Sequence, residues 1–148
     1  MIRVNGEIVK IDKFPDGTPR INLDIHSIEE IEYNGSHYLT IDWFYESNDE
    51  LFYLLLIKKH LDKYFIDVNY FLDMPYVPNA RMDRTKNNDE VFTLKYFCEF
   101  INSLNFCFST HIRSECFGNF NSVVFAVKGK VVFKECNKHT WWSYNGVV

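Results

Sequence analysis

The pattern of apolar and polar residues predicts strands and then an amphipathic helix in the first part of the chain. Residues 4–11 and 20–25 alternate between apolar and polar side chains, and residues 38–44 are rich in aromatic and β-branched ones. All three runs are therefore predicted as strands. Leucines then recur at helical spacing from residue 51 to residue 61, which predicts a helix that ends near Tyr64.

Both ends of this predicted helix carry residues typical of helix termini. Ser47 and Glu50 have the spacing of a capping box at its start. Lys58, Lys59 and His60 lie near its end, where positive side chains interact favourably with the helix dipole. His60 is therefore expected to be a solvated helix-terminal residue rather than a ligand.

The next elements predict the fold class. Residues 65–72 have the composition and length of a buried strand. Strand, helix and strand in this order form a βαβ unit with parallel strands and a right-handed crossover. A second helix is predicted over residues 89–104, on a stripe formed by Leu94, Phe97, Ile101 and Leu104. The sequence thus predicts an α/β fold, a mostly parallel sheet flanked by helices, through about residue 106.

A loop with two arginines follows the strand predicted at residues 65–72. Its two prolines exclude a helix over residues 74–84, and ligands of open α/β sheets bind at the carboxyl ends of strands. On this loop Arg81 and Arg84 can grip a polyanion bidentately, with Asp83 between them to orient one guanidinium. The alternative is a solvated, ion-paired loop, which the local spacing alone favours.

A second motif is the turn that begins Phe14-Pro15-Asp16-Gly17. Proline presets φ and glycine accepts a positive φ, so the local sequence favours a simple hairpin connection. Nothing in the turn by itself requires a binding function.

Composition narrows the classes of protein. The 148 residues are 47% apolar and carry a net charge of −4, which fits a single folded domain and does not suggest a nucleic-acid binder. No apolar run is long enough to span a membrane, and charges interrupt the N-terminus where a signal peptide would be apolar, so a cytoplasmic protein is expected. The cysteines show no CxxC pair, match no zinc pattern with His111 or His139, and are expected to be buried and inert: Cys98, Cys107, Cys116 and Cys136.

The composition changes near Phe106. Residues 1–106 carry a net charge of −7 and residues 107–148 carry +3. The second part shows no helical stripe, but a hairpin is predicted from residues 123–127 and 130–133. We therefore expect one domain over residues 1–106 and a divergent, irregular or β-rich tail over residues 107–148 that is not a separate domain.

Three stretches together resemble one enzyme family. They are Phe14-Pro15-Asp16-Gly17, Asn48-Asp49-Glu50-Leu51 at the start of a helix, and the proline loop that ends in Ala80-Arg81-Met82-Asp83-Arg84. Their order and spacing resemble the N-terminal half of ribose-phosphate pyrophosphokinase, the phosphoribosyl pyrophosphate (PRPP) synthetase. The resemblance covers roughly residues 8–106, and the Ala-Arg-x-Asp-Arg loop is its most distinctive part.

The resemblance implies a reaction and a site. The family transfers the diphosphoryl group of Mg-ATP to the 1-hydroxyl of ribose 5-phosphate, and it works as an oligomer of chains with two phosphoribosyltransferase-like domains. Carried over, Arg81 and Arg84 would hold ATP with Asp83 as their positioning partner. Phe14 and Asp16 would line the adenine side, in a loop that reaches the pocket of a neighbouring subunit.

The chain also departs from the family. Thr18 stands where the family usually has Glu, and Met82 stands where it often has Gln. In the family, an Asp-x-His motif whose histidine helps to bind the metal of Mg-ATP comes after this point, and no such motif follows Phe106 here. His111 comes too early to replace that histidine, and the ribose 5-phosphate domain has no counterpart. We therefore expect a truncated homologue without catalytic residues of its own that binds ATP weakly or not at all. The alternative is a non-catalytic regulatory or inhibitory protein that binds its own kind or a full-length family member.

Overall fold

The computed structural model describes residues 1–82, 85–106, 122–127 and 130–135. Its strands are β1 (Ile2–Val4), β2 (Glu7–Ile8), β3 (Lys10–Lys13), β4 (Pro19–Asn22), β5 (Ile31–Tyr33), β6 (Ser36–Trp43), β7 (Val68–Asp73), β8 (Ser122–Val127) and β9 (Lys130–Glu135). Helix α1 spans Asp49–Tyr64 and helix α2 spans Thr93–Ser103, and a short 3-10 helix covers Ile25–Ser27. None of the helices in these ranges is long and apolar enough to cross a membrane.

Two Asn-Gly turns shape the N-terminal strands. Asn5 and Gly6 have φ values of 47° and 84°, and Asn34 and Gly35 have values of 51° and 73°. Positive φ at both central residues is the geometry that Asn-Gly favours in tight hairpins. The single strand predicted over residues 4–11 is therefore wrong, because the chain reverses at Asn5-Gly6 and continues as β2 and β3.

The main sheet is mixed. Its strand order is β2-β1-β6-β5, and β7 pairs with β6 as well. Among the pairings of this sheet, β6 with β7 is parallel, while β1 with β2, β1 with β6 and β5 with β6 are antiparallel. The α/β class is confirmed, but the mostly parallel sheet that the sequence predicted is wrong. Short turns join the early strands, and only a crossover such as α1 can connect parallel neighbours.

The predicted βαβ unit is present in β6, α1 and β7. Helix α1 ends at Tyr64, as the leucine spacing predicted, and β7 lies parallel to β6 with Asp42 opposite Asp73. Strands β3 and β4 form an antiparallel hairpin, so the turn at residues 14–18 is a hairpin connection. Strand β4 is shorter than predicted, because the side chain of Asp24 accepts the His26 N–H and starts the 3-10 helix.

One face of the sheet holds the core. Alternation along β6 buries Leu39, Ile41 and Trp43, while the residues between them are half-buried. Both helices pack on this face, since the Trp43 indole donates to Glu50 at the start of α1 and its ring lies 6.2 Å from that of Phe97 in α2. The predicted stripe of α2 is buried in the same core: Leu94, Phe97, Ile101 and Leu104.

The described part of the C-terminal region is a hairpin. Strands β8 and β9 pair antiparallel, with Val124 opposite Phe133, as the sequence predicted. They form a two-stranded sheet of their own. Residues 107–121, 128–129 and 136–148 lie outside the described residues, together with three of the four cysteines, His111 and His139. The proposed boundary at residue 106 stays a prediction.

Candidate functional site

Arg81 lies on a loop that starts at the carboxyl end of β7. Met74, Val77 and Ala80 are buried, so apolar side chains anchor the loop at intervals, whereas Arg81 is exposed. Asn79 has a φ of 62°, a conformation that Asn tolerates, and its carbonyl accepts the Met82 N–H at 2.9 Å. The loop is thus tied to the core and leaves a guanidinium in solvent.

The other two residues predicted for this loop are Asp83 and Arg84. Both lie outside the described residues, so their places in the site stay predictions. Of the two arginines that the sequence predicts to bind a polyanion, only Arg81 lies within the described residues.

The first half of the loop reaches the start of α1. The Tyr76 ring lies 5.7 Å from the ring of Tyr45, and the Tyr45 hydroxyl donates to the side-chain oxygen of Asn48 at 2.7 Å. Asn48 is the N-cap residue of α1. The loop that carries Arg81 is therefore connected through two aromatic rings to the N-terminal end of this helix.

The tip of the β3–β4 hairpin also lies near the start of α1. Lys13, the last residue of β3, pairs with Asp49 in the first turn of the helix at 2.7 Å. The hydrogen bond to Asp49 raises the pKa of Lys13. The motif residues Phe14 and Asp16 follow directly on the chain.

The hairpin tip has a tight internal structure. The Phe14 N–H donates to the carbonyl of Thr18 at 2.9 Å, and Gly17 donates to the carbonyl of Phe14 with a φ of 85°. The Asp16 carboxylate accepts the Thr18 N–H at 2.9 Å, and this bond lowers the pKa of Asp16. Phe14 is 50% exposed. The turn is built by its own hydrogen bonds, so the Phe14 ring is free to meet another molecule.

The hairpin that carries Phe14 and the first half of the loop that carries Arg81 thus both reach the start of α1, through Lys13 and Tyr76. In the described ranges, no hydrogen bond, ion pair or ring contact joins Phe14 or Asp16 to Arg81.

Glu50 fixes the start of α1 in a way that the sequence did not predict. Its buried carboxylate accepts hydrogen bonds from the Met1 amine, from the Trp43 indole at 3.0 Å and from the Glu46 N–H at 2.8 Å. Burial alone would raise the pKa of Glu50, but these bonds outweigh it and lower the pKa. The predicted capping box is therefore wrong, because the Glu50 side chain binds these three donors and the N-cap Asn48 makes no side-chain cap.

A pair of carboxylates at the ends of the parallel strands was missed by sequence reasoning. Asp42 in β6 and Asp73 in β7 are register neighbours, and Arg3 in β1 lies opposite Asp42 on the other side. Burial and then the charge of Asp73 raise the pKa of Asp42, against the opposing effect of Arg3. Asp73 directly precedes the loop that leads to Arg81, so the edge of the site carries both signs of charge.

The described residues do not build a metal centre or a reactive thiol. Throughout the parts of the chain that the structure describes, no group of three His, Cys, Asp or Glu side chains could hold a metal ion. His60 is exposed and its ring lies 5.0 Å from that of Tyr64, which agrees with a solvated helix end. Cys98 is buried, and burial raises the pKa of its thiol to about 11, as expected for an inert core cysteine.

Comparisons with known proteins add no relative. No family model, no curated protein and no solved structure matches this chain. The likeness to PRPP synthetase therefore rests on the motif residues and on their order along the chain.

Proposed function

We propose that the chain is a PRPP synthetase homologue that binds the phosphates of ATP through the loop containing Arg81. The observation that carries this proposal is the position of Arg81, exposed on a loop that buried side chains anchor at the carboxyl end of a parallel strand. Ligands of open α/β sheets bind at such edges. A guanidinium on an anchored loop can form charge-assisted hydrogen bonds to a polyphosphate. Arg84 would complete the contacts to ATP, with Asp83 as the positioning partner of the two arginines, and Phe14 and Asp16 would line the adenine side.

We further propose that these 148 residues do not turn over by themselves. The family's metal-binding histidine and its ribose 5-phosphate site have no counterpart in the sequence, and the described residues offer no three-ligand metal site. Mg²⁺ would enter with ATP as part of the substrate rather than as a resident ion. Phosphoryl-type transfer depends mostly on positioning and charge neutralisation, so losing both sites removes the reaction while leaving the nucleotide contacts.

The experiment is ATP binding by isothermal titration calorimetry with two matched variants. Arg81→Ala should weaken binding by roughly 10- to 100-fold, the range for a lost hydrogen bond to a charged group. Arg20→Ala removes an equally positive, exposed side chain from β4 and should leave the affinity unchanged. Equal effects of both substitutions, or no ATP binding by the wild-type chain, would contradict the proposal.

An activity assay tests the second part separately. The wild-type chain is incubated with Mg-ATP and ribose 5-phosphate, and PRPP is measured. We expect none above background. Sustained PRPP formation that Arg81→Ala abolishes would support the site while refuting the lack of turnover.

A second candidate function is binding of a full-length PRPP synthetase. Two aromatic side chains beside the site favour it, because Phe14 is 50% exposed and Tyr76 is 44% exposed. Co-elution with a full-length synthetase on size exclusion, lost in Phe14→Ala, would support a regulatory or inhibitory role. Separate elution would leave ATP binding as the function to test.

A further inference from the structure

An open cleft lies between β2, the β3–β4 hairpin and α1. Its volume is about 920 Å³, near the upper end of the range for pockets that bind small molecules. Arg81, Phe14 and Asp16 do not line it, so the proposed contacts of these three residues with ATP leave the cleft unused. Its occupant can be larger than a single amino acid.

Half of the described residues that line the cleft are apolar, and they come from both of its walls. Leu56 and Ile57 belong to α1, whereas Ile8, Ile21 and Leu23 belong to the opposite wall. Ile8 is 59% exposed and Leu56 is 36% exposed, so apolar surface remains in contact with water on each side. Covering such surface favours the binding of a molecule with apolar groups.

The two acidic residues of the cleft, Glu7 and Asp24, keep carboxylate oxygens for a further donor. The Ser27 hydroxyl donates to one oxygen of Glu7 at 3.2 Å, and one oxygen of Asp24 accepts the His26 N–H at 3.1 Å. Within the described ranges, the other oxygen of each carboxylate accepts no hydrogen bond, and neither carboxylate forms an ion pair. Such oxygens are suitable acceptors for an ammonium group.

The basic residues of the cleft come from two elements, Lys10 from β3 and His60 from α1. Lys10 is exposed, forms no ion pair in the described part of the chain, and lies opposite Asn22 in the register of the hairpin. An ammonium and a neighbouring amide are suitable donors for a carboxylate. The cleft therefore offers partners for a positive group and for a negative group.

We propose that this cleft binds a short peptide with apolar side chains and free termini. The ammonium of the peptide faces Glu7 and Asp24, its carboxylate faces Lys10, and its side chains lie against Leu56 and the opposite wall. The peptide backbone supplies N–H and C=O groups for polar lining residues such as Asn22. A molecule with a single charge would pair with only one of the two charged sets, whereas a zwitterion pairs with both.

Amide chemical-shift titration of the full chain tests the proposal, with trileucine as the probe and its N-acetyl and C-amide forms as matched peptides. We expect saturable shifts at Lys10, Asn22 and Leu56 with a dissociation constant below about 5 mM. Removing either terminal charge should weaken binding by about three- to fivefold, the effect of one exposed ion pair. The proposal is overturned by the lack of a saturable shift at the cleft up to about 5 mM. It is equally overturned if removing a terminal charge does not weaken binding.

Two charge-removing variants connect each terminus to its partner. Glu7→Gln keeps an oxygen that can accept from Ser27 and should reduce the preference for trileucine over its N-acetyl form. Lys10→Gln should reduce the preference for trileucine over its C-amide form. Lys59→Gln is the control, because Lys59 is exposed on α1 and does not line the cleft, and it should change neither preference. Preferences that survive both Glu7→Gln and Lys10→Gln would refute the assigned contacts.

A matched pair of serine variants tests the apolar wall. Leu56→Ser should weaken the binding of all three peptides, because it removes apolar surface from the cleft. Phe52→Ser should not, since Phe52 is 52% exposed one helical turn away and does not line the cleft. Circular dichroism verifies that both variants are folded. Equal effects of the two substitutions would contradict the placement of the peptide.

Discussion

At the scale of single residues, two buried charges hold α1 in place. Glu50 is 6% exposed and receives three hydrogen bonds at the start of the helix. Lys58 is 4% exposed, pairs with Asp62 and lies 3.9 Å from the centre of the Tyr70 ring. A buried charge that loses its partner is costly, whereas one replaced by an apolar group of similar shape often is not. The two sites therefore respond differently to substitution.

Glu50→Ala should destabilise the protein by about 3 kcal/mol, because it leaves the buried Trp43 indole and the part-buried Glu46 N–H without their acceptor. Urea unfolding at pH 7 measures this loss of stability. Glu46→Ala is the control: the Glu46 side chain is 70% exposed, so its removal should change the free energy of unfolding by less than about 0.5 kcal/mol. A loss for Glu50→Ala no larger than that for Glu46→Ala would refute the role of the buried carboxylate.

The lowered pKa of Glu50 also predicts a pH dependence. A carboxylate whose pKa is lower in the folded than in the unfolded state stabilises the fold at pH values above its unfolded-state pKa, which is 4.5 for Glu50. This contribution is lost as the pH falls through the folded-state pKa. The stability difference between wild type and Glu50→Gln should therefore be constant near neutrality and shrink below about pH 4.5. Urea unfolding as a function of pH provides the test, and a difference that grows in acid would contradict it.

Lys58→Met should cost less than Asp62→Asn. Methionine fills the place of the lysine stem against Tyr70 and carries no charge, so we expect a change within about 1 kcal/mol. Asp62→Asn leaves the buried ammonium without its carboxylate and should destabilise by about 1 to 2 kcal/mol. Thermal unfolding ranks the two variants, and the reverse order would mean that the ion pair is not needed.

At the scale of elements, the spacing of apolar residues and the order of elements correctly predicted the features that depend on neighbouring residues in the chain. Helix α1 ends at Tyr64, as the leucine pattern predicted, and the βαβ unit follows from element order. Helix α2 starts four residues later than predicted, because the Asn87 side chain accepts the N–H groups of Asp89 and Glu90 and holds them in a turn. The Asn-Gly turns at residues 5–6 and 34–35 were missed although their signal is in the sequence.

Partners distant in the chain were not predictable in the same way. The Trp43 indole and the Met1 amine donate hydrogen bonds to the Glu50 carboxylate, so Glu50 does not form the predicted capping box. Only the folded chain brings these groups together. The pairing of Asp42 with Asp73 depends on strand register, which no local pattern specifies. Arg81 and Phe14 were predicted as site residues because a motif carries them, whereas the approach of their two loops to the start of α1 comes from the tertiary fold.

The turn that joins β5 and β6 should be sensitive at one position and tolerant at the next. Gly35 has a φ of 73°, so Gly35→Ala should destabilise by about 1 kcal/mol, because a side chain is strained there. Asn34→Gly should stay within about 0.5 kcal/mol of wild type, since glycine accepts the same conformation. Chemical unfolding measures both changes, and equal losses would indicate that the turn is not held in this geometry.

At the scale of the whole molecule, β6 is the centre of the described fold. It pairs with β1, β5 and β7, and its buried side chains meet both helices. The mixed sheet has the Arg81 loop at the carboxyl end of β7 and the Phe14 hairpin beside α1, so one helix links both predicted motifs.

The burial of Cys98 gives a way to time how α2 moves away from the sheet. A thiol pKa of about 11 instead of 9 reduces the reactive thiolate at pH 8 by roughly 100-fold. Cys98 is also only 4% exposed, so an alkylating reagent cannot reach its sulfur in the closed structure. Alkylation must therefore wait for transient opening of the helix, so its rate constant reports that opening. In a chain whose other three cysteines are serine, a cavity in the stripe made by Ile101→Ala should accelerate alkylation, whereas Tyr96→Ala on the solvent side should not.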